Sequence, residues 1–230
     1  MIVVLTGAGI SAESGVPTFR DAGGLWEGHD VMEVATPEGF AADPDLVLRF
    51  YDLRRHGVAG VLPNPAHEAL ARLEAAVGDE LFLVTQNVDD LHERAGSTRV
   101  LHMHGSLATA RCTACEAREP IEVDLLDRPD CSACGDAALR PDVVWFGEYP
   151  YGLEEIFDAV ERCDTFVAIG TSGTVQPAAG LVLEARTAGA RTVEFNLAAT
   201  DATMFFDEAH HGPASATVPA WVDAVIAQRA

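Results

Sequence analysis

Residues 81–105 read LFLVTQNVDDLHERAGSTRVLHMHG, and this stretch decides the fold. Leu81 to Val84 is a short apolar run of the kind that forms a buried strand. Gln86, Asn87 and Asp89 stand where that strand should stop, and Asp89-Asp90 can start a short helix that ends at Gly96. A second short run delivers His102 and His104. Ligands of an open α/β sheet bind outside the carboxyl ends of its strands. An amide pair, a carboxylate and an imidazole are therefore expected in one crevice.

Upstream, Met1 to Gly15 reads MIVVLTGAGISAESG. A β-rich run ends in a glycine turn, after which Ser11, Ala12 and Glu13 can open a helix. Glycines let the backbone approach a pyrophosphate, and a helix N-terminus offers free N–H groups. The spacing is Gly7, Gly9, Gly15 rather than GxGxxG, so the run taken alone also reads as a tight βα turn. Downstream, Val143 to Phe146 is an apolar strand ending in Gly147-Glu148, and Gly152 to Arg162 is a helix. Thr165 to Ile169 is a strand before Gly170-Thr171-Ser172, a helix covers Ala178 to Thr187, and Thr192 to Phe195 is a strand with Asn196 at its end. The last helix is expected at Pro219 to Arg229. Strands near 2, 82, 101, 144, 167 and 194 alternate with helices, which predicts an α/β fold with a doubly wound, mainly parallel, Rossmann-like sheet.

Two insertions interrupt that pattern. In residues 31–76, Thr36-Pro37, Asp43-Pro44 and Asn64-Pro65 mark helix starts, each a capping residue followed by proline at the first helical position. The second helix is expected from Pro44 to about Arg55, and the third ends at Gly78. Tyr51 and Arg54 are three apart and share a face; on spacing alone they read as a solvated arginine over an amphipathic tyrosine. In residues 106–140, Cys112-x-x-Cys115 and Cys131-x-x-Cys134 are separated by fifteen residues. Two such knuckles can enclose a structural Zn²⁺ tetrahedrally; two disulfides are the alternative. Cys163 reads as a small buried residue rather than a nucleophile. The expected division is a main domain of residues 1–26, 73–106 and 141–230, with a small domain made of a helical module, 27–72, and a zinc ribbon, 107–140.

Composition narrows the function classes. The chain has 230 residues, is 48% apolar and carries a formal charge of −21. All fifteen basic residues are arginine, so no lysine side chain is available for acylation. Phosphate-driven nucleic-acid binding needs a basic face and is not expected. No run of 18 apolar residues and no basic leader is present, so the reading is a cytoplasmic protein without a membrane span.

QNVD followed by HMHG resembles the catalytic core of the sirtuins. GAGIS, TFR, the paired CxxC knuckles, VVWFGE, GTS, FNL and GPAS extend the resemblance over nearly the whole chain, and bacterial class III members are the most similar. Thr18 stands where many members have Asp. The resemblance implies an NAD-dependent lysine deacylase that consumes NAD, releases nicotinamide and forms O-acyl-ADP-ribose. A sirtuin-like mono-ADP-ribosyltransferase or NAD hydrolase is the alternative. By resemblance, His104 is the general base and Asn87 and Asp89 act beside it; His102 matches a non-catalytic position. Cofactor contacts fall on Gly7, Ala8, Gly9, Phe19, Arg20, Trp26, Gln86, Asn87, Asp89, Gly170, Thr171, Ser172, Asn196, Leu197, Ala198 and Ala214. Val144, Trp145, Phe146 and Gly147 match the strand that pairs with the substrate backbone. FYDLRR matches a Tyr-x-x-Arg pair that places Tyr51 and Arg54 on a succinyl or malonyl carboxylate, and Ala35 matches a small residue that widens the acyl pocket. The implied ligands are NAD, one structural Zn²⁺ on Cys112, Cys115, Cys131 and Cys134, and acylated-lysine proteins or peptides, bound by a monomer.

Overall fold

The computed structural model describes residues 1–18, 25–26 and 28–229, with 25 and 26 as backbone only. Strand β1 (Ile2–Thr6) leads into α1 (Ala8–Ser11). β2 (Leu25–Trp26) and β3 (His29–Asp30) pair antiparallel. The helices α2 (Val31–Val34), α3 (Pro37–Ala42), α4 (Pro44–Ala59) and α5 (Pro65–Val77) follow. Residues 81–105 supply β4 (Leu81–Thr85), α6 (Leu91–Arg94) and β5 (Val100–His102). Next come β6 (Gly105–Cys112), β7 (Arg118–Pro120) and β8 (Leu139–Val143), then α7 (Leu153–Arg162), β9 (Thr165–Ile169), α8 (Leu181–Thr187), β10 (Arg191–Asn196), β11 (Glu208–His211) and α9 (Ala214–Arg229).

The capping residues act as their types dictate. Thr36 Oγ1 accepts from the Gly39 N–H at 2.9 Å, Asp43 Oδ1 from Leu46 at 3.0 Å and Asn64 Oδ1 from Ala66 at 2.9 Å. Each satisfies an N–H that the first helical turn leaves without an intrahelical partner. α4 continues a turn past the expected Arg55, to Ala59.

Six parallel strands form the main sheet in the order β11-β10-β9-β1-β4-β5. Strand side chains alternate between faces. Ile2 and Val4 of β1 therefore pack on one side with Ala69, Leu70 and Leu73 of α5 and Val218 and Val222 of α9. Val3 and Leu5 pack on the other with Ile156 and Val160 of α7 and Val182 and Ala185 of α8. With both faces covered, the central strands β1, β4 and β9 are largely apolar, which is why they read as near-continuous hydrophobic runs.

Two expectations are corrected. The strand expected near 144 is not in the main sheet. β8 ends at Val143 and pairs antiparallel with β6 in a separate three-stranded sheet, β7-β6-β8. A run such as VVWF cannot be distinguished by hydropathy from a parallel core strand. The sixth main-sheet strand is instead β11, EAHH, a polar edge strand whose pairing to β10 leaves no apolar mark. In addition, α9 begins at Ala214, one turn before the expected Pro219, and carries that proline inside it.

The helices after β3 and the antiparallel ribbon pack on each other. Leu48 of α4 is fully buried against Ala110, Cys112, Leu125, Cys131 and Leu139. Asp52 accepts from the N–H groups of Leu125 and Leu126 at 3.0 and 2.9 Å, capping a 3-10 turn of the ribbon. Among the described residues no helix is long and apolar enough to cross a membrane.

Candidate active site

The strand order reverses at β1, whose neighbours are β4 and β9. The carboxyl ends of these strands face a cavity of about 500 Å³, roofed by α4 and the segment after β8. Its walls include Gly7, Ala8 and Gly9 after β1, Gln86, Asn87 and Asp89 after β4, His104 after β5, and Gly170, Thr171 and Ser172 after β9. Tyr51 and Arg54 of α4, Ala35, and Val144, Trp145, Phe146 and Gly147 close the opposite side. Asn196 is buried at the end of β10, where its Nδ2 donates to the Thr171 carbonyl at 2.6 Å. Leu197 and Ala198 are exposed beyond it, and Ala214 packs at the start of α9; these three, like Asn196, lie outside the cavity wall. Phe19, Arg20 and the Trp26 side chain lie outside the described residues.

The glycines near the end of β1 are required by close approach. A Cβ on Gly9 would fall 2.6 Å from Gly170 Cα, and one on Gly7 would fall 2.9 Å from the Gly170 oxygen. Gly9 N–H donates to that oxygen at 2.8 Å, so two backbones touch where strands β1 and β9 end.

His104 Nδ1–H donates to the Gln86 carbonyl at 3.2 Å, which leaves Nε2 as the acceptor nitrogen. Burial lowers its pKa below the ordinary imidazole value, against a smaller opposing effect of the Gln86 carbonyl, so the ring is neutral at neutral pH. Asn87 is anchored by its N–H to Thr85 Oγ1 at 3.0 Å and by Nδ2 to Ser11 Oγ at 3.0 Å. Asp89 is buried and accepts from Leu91 N–H at 3.2 Å. Burial raises its pKa, offset in part by hydrogen bonds from Leu91 and Ser11 and by the charge of His102.

Beneath these residues lies a polar layer that the sequence did not reveal. His67 Nδ1 accepts from Asn64 N–H at 3.3 Å, so its Nε2–H points to Ser11 Oγ at 3.4 Å. Thr6 donates to Thr85 Oγ1 at 2.8 Å and accepts from His92 Nε2 at 2.9 Å. Burial pushes His67 down to about 4 and His92 well below the ordinary imidazole value. On spacing alone these histidines are indistinguishable from core positions of an amphipathic helix.

The comparisons with known proteins agree with this geometry. Residues 7–177 match the model of the Sir2 family. The chain belongs to the Sir2 family. It is 54% identical over 231 residues to an NAD-dependent protein deacylase of Caulobacter vibrioides, covering 99% of this chain and 97% of the relative. An NAD-dependent protein deacylase of Salmonella typhimurium is 53% identical over 225 residues, covering 96% and 82%. A solved Sir2 homolog–NAD complex is 43% identical with a TM-score of 0.89, covering 100% of this chain and 90% of that one.

In this Sir2-family chain the segment after β8 differs from the strand expected there. The N–H groups of Val144, Trp145 and Phe146 already donate to the His104 carbonyl, Glu148 Oε2 and the Ala35 carbonyl, each at 2.9 Å. The Trp145 carbonyl in turn accepts from the Glu148 N–H at 3.0 Å, so the segment is held as a loop by its own backbone. Arg140 fixes the loop from below: its guanidinium stacks on the Trp145 ring at 3.8 Å and donates to Glu148 at 2.8 Å. Trp145 Nε1–H donates to the Tyr51 hydroxyl at 2.9 Å, and burial raises the Tyr51 pKa, so the phenol stays protonated. An oxygen that accepts from the indole can meet a further partner as a donor.

The four ribbon sulfurs lie within 4.8 Å of one another. Cys112 and Cys134 Sγ are 3.7 Å apart, as are Cys115 and Cys131. A disulfide requires about 2.05 Å, so the four cysteines are free thiols rather than disulfide-bonded here. Zn–S bonds of about 2.3 Å in a tetrahedron place sulfurs about 3.8 Å apart; the cluster fits a tetrahedral metal. Cys163 is buried, with its thiol donating to the Val160 carbonyl at 3.2 Å.

Proposed function

We propose that this chain is an NAD-dependent protein-lysine deacylase that accepts both neutral and carboxylated acyl groups. The observation that carries the reading is a single cavity that holds a neutral His104 on one wall and Tyr51 with Arg54 on another. NAD, when bound, supplies an ADP-ribosyl group that leaves nicotinamide and takes the acyl group. The glycine turn at Gly7 to Gly9 and the Gly170–Ser172 turn suit its phosphates, because backbone N–H groups reach a ligand only where no Cβ intervenes. Asn87 and Asp89 orient the nicotinamide-ribose end, and His104 Nε2 takes a ribose hydroxyl proton. A neutral imidazole held in one tautomer suits that task. Zinc on Cys112, Cys115, Cys131 and Cys134 keeps the ribbon folded and stays outside the chemistry. Residues 27–72 and 107–140 are read as one smaller domain that closes over the sheet.

The acyl preference rests on α4. A succinyl or malonyl group ends in a carboxylate, whose burial without a partner is costly. The Arg54 guanidinium offers it paired N–H donors and the Tyr51 hydroxyl a further one. Arg54→Met should lose on the order of 2–4 kcal/mol of transition-state binding for succinyl substrates. The test is kcat/KM for matched acetyl- and succinyl-lysine peptides in both proteins, with nicotinamide followed in parallel. An unchanged acetyl-to-succinyl ratio would return Arg54 to a solvated-face role. Nicotinamide release without loss of the acyl group would sink the deacylase reading in favour of an NAD hydrolase.

A further inference from the structure

His102 and His104 stand two residues apart but have different partners. His104 faces one carbonyl. His102 faces two acceptors: Nδ1 lies 3.0 Å from the Asn87 carbonyl and Nε2 lies 2.7 Å from Glu93 Oε1. Neither of those oxygens can donate, apart from a protonated Glu93. A neutral imidazole has one N–H and would aim a lone pair at one of them; the imidazolium satisfies both. We propose that His102 is a positioning residue, an imidazolium clamped between Glu93 and the Asn87 carbonyl that fixes the Asn87 main chain and steadies the Asp89 carboxylate where the two residues grip the nicotinamide-ribose end of NAD. This rests on the function proposed above and assigns a role to a position that the sequence left without one.

The surroundings support a lone cation here. The titratable groups around His102 are Glu93 and His92 of α6, Asp89 of the preceding loop and His104 on its own segment. Burial lowers His92 and His104, so both are neutral. Burial acts on His102 in the same direction, but Glu93, the Asn87 carbonyl and Asp89 outweigh it and raise its pKa. Adjacent groups driven to opposite protonation states mark a division of roles. One histidine takes a proton and the other holds its own. His102 reaches the Asn87 main-chain carbonyl while Ser11 accepts from its side-chain Nδ2, so the residue is held at both backbone and side chain.

The test compares wild type, Glu93→Gln and Glu93→Asp in the full-length chain. Glu93→Gln keeps a hydrogen-bond acceptor and removes the charge. It should raise KM for NAD by about fivefold or more, with KM for an acetyl-lysine peptide within about twofold of wild type. The alkaline limb of kcat/KM for NAD, where His102 loses its proton, should move to lower pH, while the acid limb set by His104 stays in place. Glu93→Asp, which keeps the charge, should restore most of the loss. A merely structural role would lower every parameter together without moving one limb. Calorimetry with NAD reads the same clamp independently of turnover, and imidazole NMR of the wild-type chain reads the protonation state directly. A single neutral His102 tautomer at pH 7, or an unchanged NAD affinity and alkaline limb in Glu93→Gln, overturns the proposal while leaving deacylation intact. Failure of the wild type to deacylate would instead overturn the function on which it rests.

Discussion

Replacing Gly9 by alanine tests the placement of the nucleotide site. The new Cβ would meet Gly170 Cα at 2.6 Å, its oxygen at 2.8 Å and its carbonyl carbon at 3.0 Å. All three are backbone atoms, so no side chain can swing aside. Gly170 is itself constrained, with φ of +64 and a Cβ position only 2.4 Å from Ile10 N. Ordinary contact requires the ends of β1 and β9 to part by about 1 Å, an overpacking that costs about 1–3 kcal/mol. For a chain of this size that is a fall in Tm of roughly 2–12 °C. The same displacement moves the walls of the proposed phosphate site, and about 1 Å of misplacement can cost roughly 100-fold in rate. Thermal unfolding, NAD titration calorimetry and deacylation rates read these effects separately. The control is Gly57→Ala in α4, where a Cβ meets nothing within 4 Å. It should raise stability by about 0.5–1 kcal/mol through helix propensity. If Gly9→Ala kept wild-type stability and bound NAD within about twofold of wild type, the close approach of the two turns would be refuted, and with it the phosphate site built on them.

Other outcomes follow from the same geometry. His104→Tyr should abolish deacylation while leaving the fold and metal content unchanged, and in wild type the acid limb of kcat/KM should lie below the ordinary imidazole value of about 6.5, because burial favours the neutral ring; full activity in the folded variant would remove His104 from the mechanism. Cys131→Ala should reduce the metal from one zinc per chain to none, as measured by elemental analysis, and loosen the Leu48 contact that joins α4 to the ribbon; active wild-type protein without zinc would contradict the site. His67 has a folded pKa depressed to about 4, so the unfolded chain binds more protons and stability should fall as pH drops from about 6.5 towards 4. In His67→Gln the urea midpoint should vary less over that window, and an equally steep dependence would assign it to other groups.

Much of the scaffold was legible because its causes are local. Thr36, Asp43 and Asn64 cap helices at the positions their types indicate. The apolar runs at Ile2, Leu81, Thr165 and Thr192 are parallel strands, and the CxxC pairs converge. Hydropathy failed where the partner rather than the composition defines the element. Val143 of VVWF ends the antiparallel ribbon strand β8 and the other three residues follow it as a loop, while polar EAHH adds the edge strand β11.

The sequence by itself determined the alternation of strands and helices, the cap positions, the cysteine knuckles and the motif residues that line one cavity. Each depends on residue type and short spacing, which the chain carries before it folds. Only the tertiary structure decided that burial favours the neutral form of His104 while His102 lies between two acceptors, that the amides of Val144, Trp145 and Phe146 are spent internally, and that Trp145 sets the hydrogen-bonding sense of Tyr51. Those properties depend on burial and on distances between segments far apart in the chain. Charge state and donor direction change over an ångström or two of separation, and no local pattern encodes that separation.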